Sequence, residues 1–193
     1  MPLTARAGRE VAMEAVRHSL RPRLTAIAPT AAEVVRQAGG WLFDQAMAGW
    51  DVTVITRDHP DPRPLRMLGA RDRDIRVLRQ VPVPGRCLQA IAVRADLCES
   101  DPAVRDLVLT AAATGGAEIR VWGDRWSAGL GMGPGLVSHH LSIAARAFKA
   151  QALAAMDNAA PGGAAAGRAA DDAHGDVEVF RRADATCPAG GVR

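Results

Sequence analysis

The stretch from Thr30 to Thr56, TAAEVVRQAGGWLFDQAMAGWDVTVIT, changes hydrophobic period once, from steps of three and four to a short continuous β-branched run. Val34, Val35, Ala38, Leu42 and Ala46, with Phe43 and Met47 one step aside, put a broad apolar face on a helix, and that face must be buried. Thr30 and Glu33 have the spacing of a capping box, in which the hydroxyl accepts from the amide three residues on and the carboxylate reaches back. Gly49 stands just past the last periodic residue, where a left-handed C-terminal position favours glycine. Val52 to Thr56 is too short for a helix and nearly apolar on both faces, which predicts an interior parallel strand. Gly39-Gly40 costs the helix about 1 kcal/mol per glycine relative to alanine. Either the helix approaches a sheet closely there or it breaks.

The same pattern continues along the chain. A short helix is predicted over REVAMEAVRHSL, residues 9 to 20, ended by Pro22. RDHPDPRPLRMLGAR forces an irregular crossing before Pro64 opens a short helix over Leu65, Met67 and Leu68, with Gly69 as its cap. Ile75, Val77 and Val81 predict a short edge strand closed by the PVPG turn of residues 82 to 85. Cys87 to Val93, CLQAIAV, is a second apolar strand. Asp101-Pro102 sets an N-cap and a proline at the first helical position, and Val104, Leu107, Val108 and Ala111 follow at helical spacing until Gly115-Gly116. Glu118 to Trp122, EIRVW, completes a βαβ unit. A glycine-rich connector, residues 123 to 135, leads to a helix with Leu141, Ala144, Ala145, Phe148, Ala152 and Met156 as its stripe, Arg146 and Lys149 beside it, and Ser138 as its cap. Beyond Asp157 bulky apolar residues are few, so disorder is expected, with DVEVF at 176 to 180 the one candidate for local order.

These elements predict a single α/β domain over residues 30–156: a small, mainly parallel sheet covered by helices on both faces. A flexible basic N-terminal arm, residues 1–29, and a disordered tail, residues 157–193, flank it.

Arginine supplies 23 of the 24 basic residues, Lys149 is the one lysine, and tyrosine is absent. With abundant Ala and Gly this composition reads as GC-rich codon bias, so the arginine excess is weak support for nucleic-acid binding. The net charge of +3 is small. Three cysteines without a CxxC pair suggest neither a disulfide framework nor a zinc knuckle, which fits a reducing cytoplasm. No apolar leader and no membrane-spanning run is visible, so membrane association is not expected.

In open α/β sheets ligands bind beyond the carboxyl ends of the strands. That rule selects Asp58, His59, Asp61 and Arg63 after the first strand, Arg94 beside Asp96 after the second, and Asp124, Arg125 and His139 around the glycine loop. The first group is acidic enough for a metal or an acid–base pair, although its prolines favour a surface turn and no metal-ligand spacing is present. Arg94 and Asp96 read as a surface ion pair. The glycine loop fits neither GxGxxG nor Walker A, so it reads as a connector, with anion binding at the following helix start as the alternative. No GxSxG or catalytic triad can be nominated, and no cofactor motif is present. From Arg57 to Arg94 nine arginines face four aspartates, a local net of +5.

The runs GGWLFDQAMAGWDVTVIT and HHLSIAARAFKAQAL resemble segments of an uncharacterised protein family of GC-rich actinobacteria, over roughly residues 30–156. That resemblance implies no activity and assigns no residue a role. The helix–strand order without a Walker lysine also resembles a degenerate RecA-like accessory protein. Missing catalytic motifs therefore predict a non-catalytic, cytoplasmic interaction or regulatory protein with a protein partner. The alternatives are an enzyme or sensor holding a small anionic, phosphate-bearing ligand at the strand ends, or a nucleic-acid-associated factor.

Overall fold

The computed structural model describes residues 21–58, 61–80, 88–123, 132–159 and 175–183. Its sheet is seven-stranded: β1 (Arg23–Ala28), β2 (Asp51–Thr56), β3 (Ala70–Asp74), β4 (Ala90–Arg94), β5 (Glu118–Trp122), β6 (Met132–His140) and β7 (Val177–Ala183), in the order β3-β2-β1-β4-β5-β7-β6. The helices are α1 (Ala31–Met47), α2 (Arg63–Met67), α3 (Val77–Gln80), α4 (Ala95–Ser100), α5 (Pro102–Thr114) and α6 (Ile143–Ala159).

Strand alternation sends successive side chains to opposite faces, and the two faces build two cores. On one face Leu24, Ala26, Val54, Ala90, Ala92 and Trp122 pack with Val34, Val35, Trp41 and Leu42 of α1 and with Ala145 and Leu153 of α6. On the other Ile27, Ile55, Ile91, Val93, Ile119 and Val121 pack with Leu97 of α4 and with Val104, Leu107 and Val108 of α5. The alanines of β1 and β4 leave room for the bulky face of α1.

Thr30 accepts from the Glu33 amide, and Gly49 and Gly69 take φ +91° and +71°, so α1 and α2 start and stop as their sequences predict. Asp101 caps α5 through the Ala103 amide. Helix α1 runs unbroken through Gly39-Gly40, and Gly40 is closely approached by Leu141, outside the sheet, and by Glu178 of the sheet strand β7. A Cβ at residue 40 would lie 2.2 Å from Leu141 Cδ2 and 3.2 Å from Glu178 Oε1.

Several expectations are corrected. The sheet is mixed: β3, β2, β1, β4 and β5 are parallel, whereas β7 is antiparallel to both β5 and β6. It also extends past residues 30–156 on both sides, because β1 lies at its centre and β7 between β5 and β6. The edge strand is Ala70–Asp74; Val77 instead opens α3. Residues 132–140 form β6, so Ser138 caps no helix, and Ser142 accepts from the Ala145 amide at the start of α6. Lys149 lies inside the buried stripe of α6, while Phe148 is exposed. Buried Lys149 is compensated by Glu178 on β7, a partner that helical periodicity cannot reveal. The helix predicted over residues 9–20 lies outside the described residues.

Candidate active site at the strand ends

The chain moves outward from β1 through β2 to β3, then returns across β1 to place β4 on its other side. The carboxyl ends of β1 and β4 therefore flank a topological switch point, where the two connections leave toward opposite faces and open a crevice. After β1 the chain enters α1 on one face; after β4 it enters α4 on the other.

Glu33, in the first turn of α1, lies at this switch point against Arg94 and Trp122. Its carboxylate does not close the capping box. Instead Oε2 accepts from Arg94 Nη1 at 2.5 Å and Oε1 from the indole Nε1 of Trp122 at 3.3 Å. Arg94 ends β4 and Trp122 ends β5, so three elements meet on one carboxylate. The Glu33 hydrogen bond pushes the Arg94 guanidinium above its ordinary value, against the opposing effect of burial, with Asp96 adding to the shift. Arg94 Nε also lies 2.8 Å from Asp96 Oδ1, off the axis of a hydrogen bond. The ion pair read from the sequence is present, and it belongs to a larger cluster.

Asp58 reaches back from the end of β2 to the start of α1, where both its oxygens lie 3.3 Å from the Ala31 amide. With Thr30 holding the Glu33 amide, the chain satisfies two of the helix's free donors itself. Asp58 and Arg94 thus converge through α1. Asp61 does not join them; it accepts from the Arg63 amide at 2.9 Å in a local turn that opens α2, and both residues are exposed. His59, Asp124 and Arg125 lie outside the described residues.

His139 stands apart from the crevice contacts, on β6 against α1. Its Nε2 lies 2.8 Å from Asp44 Oδ2, and Ser142 donates its hydroxyl to Asp44 Oδ1 at 2.6 Å. Burial raises the Asp44 carboxyl, but the Ser142 hydrogen bonds and His139 together outweigh it and hold the carboxyl below the usual aspartate value. A depressed folded value means stability that is present above an unfolded pKa of about 4 and lost as pH falls through the folded value. Replacing Asp44 with asparagine is expected to flatten the acid limb of a stability–pH profile below pH about 4; an unchanged limb would show that the contact contributes nothing.

Sequence reading missed Glu33 and Trp122 as site residues. The available signal was the loop APTAAE after β1, but the five-residue run LTAIA was not recognised as a strand, so its strand-end loop went unexamined.

The described donors do not fit a metal: no group of three His, Cys, Asp or Glu side chains gathers among the described residues, and Glu33 is already held by a guanidinium. Among the described residues no helix is long and apolar enough to cross a membrane.

No family model and no curated protein matches the sequence. The fold is similar to that of a deacetylase solved with teicoplanin, from the teicoplanin biosynthesis pathway, at TM-score 0.57 and 15% identity, covering 84% of this chain and 98% of that one. It is also similar to the A40926 pseudoaglycone deacetylase Dbv21, at TM-score 0.54 and 20% identity, covering 84% and 97%. Identity at this level shows the architecture alone. That architecture carries catalysis in both solved proteins, which corrects the expectation of a non-catalytic interaction or regulatory protein. Absent linear motifs were a poor guide, because here the polar side chains gather from separate strand ends.

Proposed function

We propose that this chain is an enzyme acting at the β1/β4 crevice, and that its reaction is hydrolytic removal of an acetyl group from an amide nitrogen of a small molecule. The observation that carries this reading is Glu33, a carboxylate clasped by Arg94 and Trp122 at the switch point. The likeness in fold to two deacetylases supports it.

The chemistry needs a base, a cation and rigid support. Water attacks the amide carbonyl carbon; Glu33 takes the water's proton and returns it to the departing nitrogen as the C–N bond breaks, leaving acetate and a free amine. Arg94 offers guanidinium N–H donors to the oxygen on which negative charge develops. Substrate enters by displacing the Glu33–Arg94 contact, so each group then faces the reacting amide. Trp122 keeps the carboxylate aimed, and Asp58 steadies the turn that carries it.

The test is release of acetate from a panel of N-acetylated aminosugars and N-acetylated glycopeptides. Glu33→Gln is expected to lower kcat about 10²–10⁴-fold with the circular dichroism spectrum unchanged. Failure of the wild-type chain to release acetate from any member of the panel would sink the proposal.

A further inference from the structure

Two exposed arginines meet at the strand ends on the face opposite Glu33. Arg57 directly follows β2, and Arg79 sits on α3; Arg57 Nη2 and Arg79 Nη2 lie 3.5 Å and 3.4 Å from one oxygen, Oδ2 of Asp101. That carboxylate is 3% exposed and its other oxygen is used by the Ala103 amide, whereas the arginine side chains are 45% and 66% exposed. Each guanidinium carries five N–H donors, and these contacts occupy a single nitrogen of each, leaving most donors toward solvent.

The charge arithmetic is unusual for a purely structural contact. One arginine would neutralise Asp101; the second adds repulsion and leaves the trio at a net +1. An anion accepting from both guanidiniums would balance it, and paired arginines match the oxygens of carboxylate, phosphate or sulfate. The position suits a ligand already seated in the crevice. Strands β2 and β4 flank β1, so at ordinary strand spacing the ends that carry Arg57 and Arg94 are about 10 Å apart across the open rim.

We infer that Arg57 and Arg79, held together by buried Asp101, form a subsite for an anionic group on the ligand. This rests on the strand-end enzyme reading and names its substrate class: an acetamide that also carries a carboxylate, phosphate or sulfate able to reach across that rim. Arg57 and Arg79 act in specificity and touch no reacting atom.

Isothermal titration of the full chain with inorganic phosphate at low ionic strength tests the subsite without requiring turnover. Binding is expected, weakening as salt is added. The Arg57→Gln, Arg79→Gln double variant should bind about tenfold or more weakly. Asp101→Asn keeps a good helix cap but puts an amide N–H2 where the carboxylate oxygen held both guanidiniums, so it should bind phosphate more weakly, and this arm stands even if the double variant does not fold. In a parallel titration N-acetylglucosamine 6-phosphate should bind more tightly than N-acetylglucosamine, by a margin that the double variant abolishes.

No phosphate binding by the wild-type chain, unchanged binding in a folded double variant, or no weakening in Asp101→Asn would each overturn the subsite. Loss of the enzyme reading looks different: acetate release is absent while phosphate binding still responds to Arg57, Arg79 and Asp101. Acetate release with phosphate binding indifferent to these residues would remove the subsite alone.

Discussion

Replacing Glu178 with alanine is expected to destabilise the protein by about 3–5 kcal/mol, the usual cost of stranding one member of a buried ion pair. Glu178 and Lys149 are 3% and 4% exposed at their side chains and meet at 2.8 Å. The carboxylate does more than neutralise the lysine. Its Oε1 accepts from the Gly40 amide and its Oε2 from the Trp41 amide, both at 2.8 Å, in the middle of α1. Removing it leaves a buried ammonium without its partner and takes an acceptor from two helix amides. The absence of a Cβ at Gly40 is what admits this arrangement, since even a methyl group would collide with Leu141. At roughly 2–4 °C per kcal/mol for a chain of this size, Tm should fall by roughly 6–20 °C. The Lys149→Met, Glu178→Ala double variant removes both charges and should recover part of that loss. A single variant within about 0.5 kcal/mol of wild type in urea unfolding would show that water or a rearranged neighbour replaces the carboxylate.

Trp41→Ala should cost about as much, 3–5 kcal/mol by the usual range for a buried aromatic, for a different reason. Trp41 is 1% exposed; its ring tilts against Phe180 with centroids 5.4 Å apart, and the Arg120 guanidinium sits 4.2 Å above it. Truncation opens a cavity and takes away the aromatic face that partly compensates a nearly buried cation. Trp41→Phe separates packing from polarity. The indole Nε1 is buried with no hydrogen-bond partner among the described residues, so phenylalanine removes an unsatisfied donor while keeping most of the ring. We expect Trp41→Phe to lie within about 1.5 kcal/mol of wild type. Equal losses for Ala and Phe, measured by the same unfolding titration, would mean that the indole N–H matters more than the packing of the ring.

Both predictions concern contacts that join α1 to the paired strands β6 and β7 and to α6, and this part of the molecule was the least legible in the sequence. Helix α1, β2, α2, α5 and β5 could be read because each carries its own start, stop or period within a dozen or so residues. Thr30, Gly49, Pro64, Gly69 and Asp101 act through backbone groups a few positions away, whatever the rest of the chain does. Strands β1 and β7 failed that test for opposite reasons. β1 is a six-residue strand that opens on Arg23 and continues as the short run LTAIA, with no turn signal strong enough to separate it from a loop. β7 alternates, but it is only seven residues long and follows a segment poor in bulky apolar side chains; its stability comes from pairing with β5 and β6.

The candidate sites divide in the same way. Asp58 and Arg94 were found because they follow strands. Asp61 follows the same strand as Asp58, yet it satisfies an amide two residues away in a local turn. Glu33 was visible as a capping residue; its turn toward Arg94 and Trp122 depends on partners 61 and 89 positions along the chain.

Periodicity and capping chemistry therefore settled α1, β2, α2, α5 and β5, since those choices rest on interactions of short sequence range. The order of the strands, the mixed sheet, the glycine cleft filled by Leu141 and Glu178, and the meeting of Glu33 with Arg94 were decided by folding. Each requires distant segments to exclude water together, and a buried charge can be tolerated only once its partner has arrived.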